Sequence, residues 1–121
     1  MQEIKLCKRI LKDEYGEPDV EIKTYCGKEV SANALEVEAG TTGYKGGDSG
    51  NGCRAYFRIE NFANSDLRVN AYNRGSDLVG IEVTTGGDTE LYTLIEALKF
   101  IVNVLENGET GANDKFIGKW W

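Results

Sequence analysis

The sequence predicts an α+β fold: a mainly antiparallel, twisted sheet with a long C-terminal helix packed on it, assembling as an oligomer. Three observations predict it. Apolar and polar residues alternate at period two in several segments between Val20 and Val83, the pattern of half-buried strands. Clusters of Gly, Asn, Ser and Asp separate those segments at short intervals, which favours antiparallel neighbours. After Gly86-Gly87 the apolar period becomes helical and holds to Leu105.

Each element follows in order. Ile4, Cys7, Ile10 and Leu11 give the segment Glu3–Lys12 helical spacing, and Gly16-Glu17-Pro18 marks a turn. Val20–Tyr25 alternates as a strand, and Cys26-Gly27-Lys28 is expected to turn it into a short return strand. Leu35, Val37 and Ala39 alternate with Glu36 and Glu38, which are expected on the solvated face of a strand. Ala55, Phe57 and Ile59 point one way, with Arg54, Tyr56 and Arg58 on the other. Leu67, Val69 and Ala71 likewise oppose Arg68, Asn70 and Tyr72, before a turn at residues 73–77 and a strand through Val79, Ile81 and Val83.

Asp88 is expected to cap the helix. Leu91, Leu94, Ile95, Leu98, Ile101, Val102 and Leu105 form its expected core stripe, and Asn107-Gly108 its stop. Tyr92, Ala97, Phe100 and Val104 carry apolar surface beyond that stripe. Such a helix is buried on more than one side, either at a subunit interface or sunk deeply into its own sheet. Trp120 and Trp121 are expected to dock on a neighbour or on the chain's own core.

Composition narrows the function. A length of 121 residues with 40% hydrophobic and 28% charged residues suits one folded domain over 1–121. No apolar run approaches the roughly 20 residues that span a bilayer, and Met1–Leu11 lacks the apolar core of a signal peptide, so a cytoplasmic location is expected. Cys7, Cys26 and Cys53 lack paired spacing and are expected as reduced, mostly buried thiols. A formal charge of −6 argues against a long nucleic acid as partner. The chain has no histidine, which removes His-dependent triads and His-ligated metals. No catalytic residue, metal or cofactor is assigned.

Gly47-Asp48-Ser49-Gly50 invites comparison with a serine-protease signature, but Asn51 follows it and no histidine exists to accept the serine proton. If residues 54–59 and 67–72 form an antiparallel hairpin, one register opposes Arg58 to Arg68, Tyr56 to Asn70 and Arg54 to Tyr72. Like charges directly across a hairpin are unfavourable unless an anion sits between them. Arginine forks suit phosphate and tyrosine faces suit a base, so the strands read either as a nucleotide patch or as arginines paired with surface carboxylates. Six of the thirteen residues from Gly40 to Gly52 are glycine, and amides in such a loop bind oxyanions without net positive charge. Gly86-Gly87-Asp88-Thr89 opens a helix, whose N-terminus attracts phosphate. Asp88 would repel an anion and is expected as a cap or an acceptor for ribose hydroxyls.

The run Leu35-Glu36-Val37-Glu38-Ala39-Gly40-Thr41-Thr42-Gly43-Tyr44-Lys45-Gly46-Gly47-Asp48-Ser49-Gly50, then Arg54-Ala55-Tyr56-Phe57-Arg58-Ile59, then Gly86-Gly87-Asp88-Thr89-Glu90-Leu91, resembles the first family of phage Thoeris anti-defence proteins. The resemblance spans Leu35 to Leu105. It implies a sponge for cyclic nucleotide signals of bacterial immunity, chiefly glycocyclic ADP-ribose isomers made by TIR enzymes, with cyclic oligonucleotides from cGAS-like enzymes held by some members. It implies binding without cleavage, in homo-oligomers that include hexamers, with pockets between protomers, in the cytoplasm of an infected host. Chemistry and position single out Gly43, Tyr44, Gly46, Gly47, Asp48, Arg54, Tyr56, Arg58, Arg68, Tyr72, Gly86, Gly87, Asp88 and Thr89 as the ligand-binding residues. Two rivals stand beside this reading: a nucleotide-degrading enzyme with Asp48 or Glu90 as base, and a protein-interaction module that masks a host protein.

Overall fold

The alternating run Leu35-Val37-Ala39 is the centre of the core. A computed structural model of the chain, describing residues 2–11, 20–30, 34–41, 54–63 and 66–107, places that run on strand β3 (Ala34–Thr41). Strands β1 (Gln2–Leu11), β2 (Val20–Val30), β3 and β4 (Ala55–Ala63) form an antiparallel sheet in chain order. Strands β5 (Leu67–Arg74) and β6 (Asp77–Thr85) pair separately, and helix α1 (Asp88–Asn107) closes the order. The fold is α+β, with six antiparallel strands in two sheets and the helix packed chiefly on β3. No helix among the described residues is long and apolar enough to cross a membrane.

Leu35, Val37 and Ala39 meet Ala97, Phe100, Ile101 and Val104 of α1, joined by Tyr25 of β2 and Ile4 of β1. Each large side chain buried there contributes about 1.5–3 kcal/mol. The expected helix stripe is displaced. Of its seven residues only Ile101 is fully buried, while Leu91, Ile95, Leu98 and Val102 are exposed. The residues 93, 97, 100 and 104 repeat the spacing of 91, 95, 98 and 102 from a point about 200° around the helix. Thr93 and Ala97 are small, so this side lets the axis settle close to β3, and the bulkier leucine side is left outward. Asp88 is the first helical residue rather than the cap: the Leu91 amide donates to the Gly87 carbonyl (3.1 Å), which makes Gly87, at φ 107°, the capping position.

Three other expectations are corrected. Within the expected helix, residues 3–11 are not helical but fall on the edge strand β1, which carries apolar residues on both faces and so imitates helical spacing. Cys26-Gly27-Lys28 does not turn; β2 runs through it, and Gly27 lies opposite the register shift between Gln2 and Lys5 of β1, where a missing side chain eases the irregularity. The hairpin of 54–59 with 67–72 does not form. β4 pairs with β3, setting Glu38 opposite Arg58, and β5 turns at Gly75 (φ 64°) onto β6. This pairing replaces the Arg58–Arg68 repulsion with opposite charges. Gly43–Asp48, Cys53, Trp120 and Trp121 lie outside the described residues.

Gly40 is required where it stands. A Cβ there would collide with the Lys23 carbonyl oxygen and lie 2.8 Å from Thr24 Cγ2. Backbone cannot step aside as a flexible side chain does. Gly40→Ala should therefore cost about 3 kcal/mol, the upper range for overpacking, read as a lower urea midpoint at unchanged slope.

Candidate functional site

The sheet has a helix-covered apolar face and an opposite polar face, and alternation puts Arg9, Cys26, Glu36, Glu38, Tyr56 and Arg58 on the second. Glu38 is its hub. Rather than lying on a solvated face as expected, Glu38 is 1% exposed. Its carboxylate accepts from Arg9 Nε (2.7 Å) and Nη2 (2.6 Å), Thr24 Oγ1 (2.7 Å), and Arg58 Nε (3.3 Å) and Nη2 (3.2 Å). Burial alone would push this carboxyl up, but the donors from Arg9, Thr24 and Arg58 outweigh it and hold the pKa near 2. The Glu38 hydrogen bond in turn raises Arg9 above the usual arginine value.

Arg58 is also enclosed by carboxylates. Its Nη2 donates to Glu36 (2.7 Å) and its Nη1 to Glu60 (3.3 Å), in addition to Glu38. The Arg58 hydrogen bond leads in holding Glu36 below the ordinary carboxylate range. Cys26 Sγ donates to Glu36 (3.7 Å) and accepts from Arg58 (3.7 Å); burial, then Glu36 and Glu38, push this thiol up to about 11. Cys26 and Cys7 are both free and half-buried, and Cys26 is a poor nucleophile in this setting. One arginine among three carboxylates is a weak seat for phosphate, so Arg58 fits the paired alternative.

Arg54 and Tyr56 stand at the other end of β4. Thr41 pairs with Ala55, and Thr41 Oγ1 donates to the Arg54 carbonyl (2.9 Å), so the two described residues that flank segment 42–53 are held together. Tyr56 is half-buried, with the Arg9 guanidinium 5.3 Å from its ring centroid. Arg9 was not among the residues that the sequence pointed to. It lies in an edge strand far from the recognisable motifs, and only strand order brings it to Tyr56.

The other described candidate residues lie elsewhere. Arg68 pairs with Asp66 (3.3 Å), the Gly86 amide donates to the Asp66 carbonyl (3.2 Å), and Thr89 Oγ1 donates to Glu90 (2.9 Å). Asp66 pairs with the one arginine there, and the Asp66 amide donates to Glu90 (3.5 Å), a charge balance that opposes an anion. A small cleft in this region is lined by Leu35, Leu67, Thr85, Glu90 and Thr93. Leu35 is five residues from Gly40, the partner of Tyr56, so the two groups stand roughly 16 Å apart along β3. Tyr72 lies across Gly80 of β6, where a Cβ would come within 2.6 Å of its ring. One chain thus unites Arg54, Tyr56 and Arg58 but leaves Arg68, Tyr72 and Gly86–Thr89 apart from them.

Two apolar surfaces remain open. Val69 of β5 shares a face with Val83 and Ile81 of β6, and with Phe57, Ile59 and Leu67 they line a groove of about 380 Å3. Leu91, Ile95, Leu98 and Val102 form the outward ridge of α1. Comparison with protein-family profiles, curated proteins and solved structures finds no match to this chain.

Proposed function

We propose that this protein is a phage anti-defence sponge: a non-catalytic binder that captures a cyclic adenine-nucleotide signal, glycocyclic ADP-ribose foremost and cyclic oligonucleotides in addition, and so blocks Thoeris-type immunity in the host cytoplasm. The observation that carries the reading is that Thr41, Arg54 and Tyr56 meet at one end of the sheet, where the sequence enters and leaves its glycine-rich segment. A guanidinium, an aromatic ring and a run of amides are the parts that phosphate and base recognition need. Capture requires no base, metal or cofactor.

The sponge works as a homo-oligomer, a hexamer by resemblance, held through the outward ridge of α1. Four large apolar side chains in a row on one exposed helix face support this, since such patches mark interaction sites. Assembly would also let Arg68, Tyr72 and the Gly86–Thr89 turn of one protomer approach Arg54 of another, with Asp88 accepting from ribose hydroxyls. The same ridge supports a second reading, an interaction module that inhibits a host protein. Arg54→Ala separates the two. It should weaken cyclic ADP-ribose binding, measured by calorimetry, at least 100-fold while the particle mass stays the same. Unchanged affinity would remove Arg54 from the site and favour the interaction module.

A further inference from the structure

β4 is the last strand of its sheet: β3 pairs with one edge of it, and no strand pairs with the other among the described residues. An open edge is a row of backbone donors and acceptors that invites another strand, so folds guard it with cations, an irregular register or a covering element. β1, at the far end of the sheet, is guarded: it carries Lys5, Lys8 and Arg9 close together and a register shift between Gln2 and Lys5. β4 lacks such guards from Ala55 to Asn61, where it pairs with β3 without irregularity and holds no proline and a single cation, Arg58.

Charge decides what that edge accepts. Two copies of β4 can pair antiparallel about Arg58, Ile59 or Glu60. About Arg58 or Glu60 the central side chain meets its own copy, and like charges directly opposite are unfavourable. About Ile59, Arg58 stands opposite the partner's Glu60, Glu60 opposite the partner's Arg58, and Phe57 opposite the partner's Asn61. Glu60 already accepts from Arg58 of its own chain (3.3 Å), and at 60% exposure it has room for a second arginine. The other face fits as well. Phe57, Val69 and Ile81 are each more than half exposed along the groove that β4 shares with the β5–β6 hairpin. Cross-strand neighbours share a face, so the partner's Ile59 would lie against Ile59 on the groove side. We infer that β4 is a second self-association surface, where two copies of the chain pair antiparallel about Ile59 and join their sheets. The pairing needs no nucleotide, so it goes beyond capture and stands or falls without it. Five paired residues a strand bury far less than the roughly 1,600 Å2 of a standard interface, so the pair acts beside the α1 ridge and separates at micromolar concentration once the ridge is lost.

The test mixes isotope-labelled and unlabelled full chains at sub-millimolar concentration and reads NOEs between chains by isotope-filtered NMR. The parent should show contacts from Ile59 to Ile59, and from Arg58 to Glu60, across two chains. Glu60→Arg sets a cation opposite each Arg58. It should weaken the pairing about tenfold, so that those NOEs vanish at a concentration where the parent keeps them, with an unfolding midpoint close to the parent's. Should Glu60→Arg not fold, Phe57→Lys guards the edge without touching the Arg58 cluster and carries the same comparison. Interchain NOEs confined to α1, none at all in the parent, or Ile59 contacts that survive the substitution would overturn the β4 pair. Nucleotide titration of the same chain judges capture separately.

Discussion

Glu38→Gln should lower the free energy of unfolding at pH 7 by about 3 kcal/mol, although it changes one atom and keeps the volume. The carboxylate accepts donors from three residues, and an amide offers one oxygen where two were used. Breaking a buried ion pair costs about 3–5 kcal/mol, and the low end applies because Arg9 and Arg58 both reach water. The pH dependence follows from the same site. Glu38 titrates near 2 in the folded chain against about 4.5 ordinarily, so its contribution is complete above pH 4.5 and is lost as pH falls toward 2. The parent should therefore destabilise steeply over that window and the variant much less, with a residual slope from Glu36, which Arg58 also holds below the ordinary range. Urea midpoints at pH 7 and pH 3 read both effects. Equal losses in the two proteins would mean that Glu38 is not the hub of the polar face.

If the proposed oligomer is held through the outward ridge of α1, Leu98→Glu should dissociate it while leaving the fold intact. Leu98 is 44% exposed, sits in the middle of the outward ridge and is not a member of the buried core cluster. A carboxylate at the centre of an apolar interface should weaken self-association on the order of 100-fold, the effect of losing an interface hot spot. Sedimentation should then show particles near the 13.4 kDa of one chain. Ala97→Glu, one residue away, is the contrast: Ala97 is fully buried against β3, and the charge there should prevent folding. If the parent chain is itself monomeric, the ridge has another partner and the interaction-module reading gains.

The sequence shows the fold class because it rests on local pattern. Leu35-Val37-Ala39 alternates cleanly, since one face meets α1 and the other is polar, and the change to helical period after Gly87 is abrupt. Where the local signal is symmetric, the reading fails. The helix carries two apolar stripes of equal spacing, and only the small Thr93 and Ala97 distinguish the side that meets β3. β1 reads as a helix because an edge strand with apolar residues on both faces has no clean period. Strand order is not local at all. Arg58 and Arg68 look like partners in sequence, whereas the choice of β3 as neighbour depends on Glu36 and Glu38, some twenty residues upstream. For the same reason Arg54 and Tyr56 stand out in the sequence as candidate site residues, and Arg9 comes beside Tyr56 only when four strands are set side by side.

The central claim is sequestration without chemistry, and one capture-and-release measurement addresses it most directly. Purified protein is incubated with a cyclic ADP-ribose isomer, the protein is removed by filtration, and the retained fraction is heat-denatured and its nucleotide identified. The ligand should disappear from the filtrate and be recovered chemically intact from the denatured protein. A ligand that stays in the filtrate, or one released as a cleaved product, would contradict it.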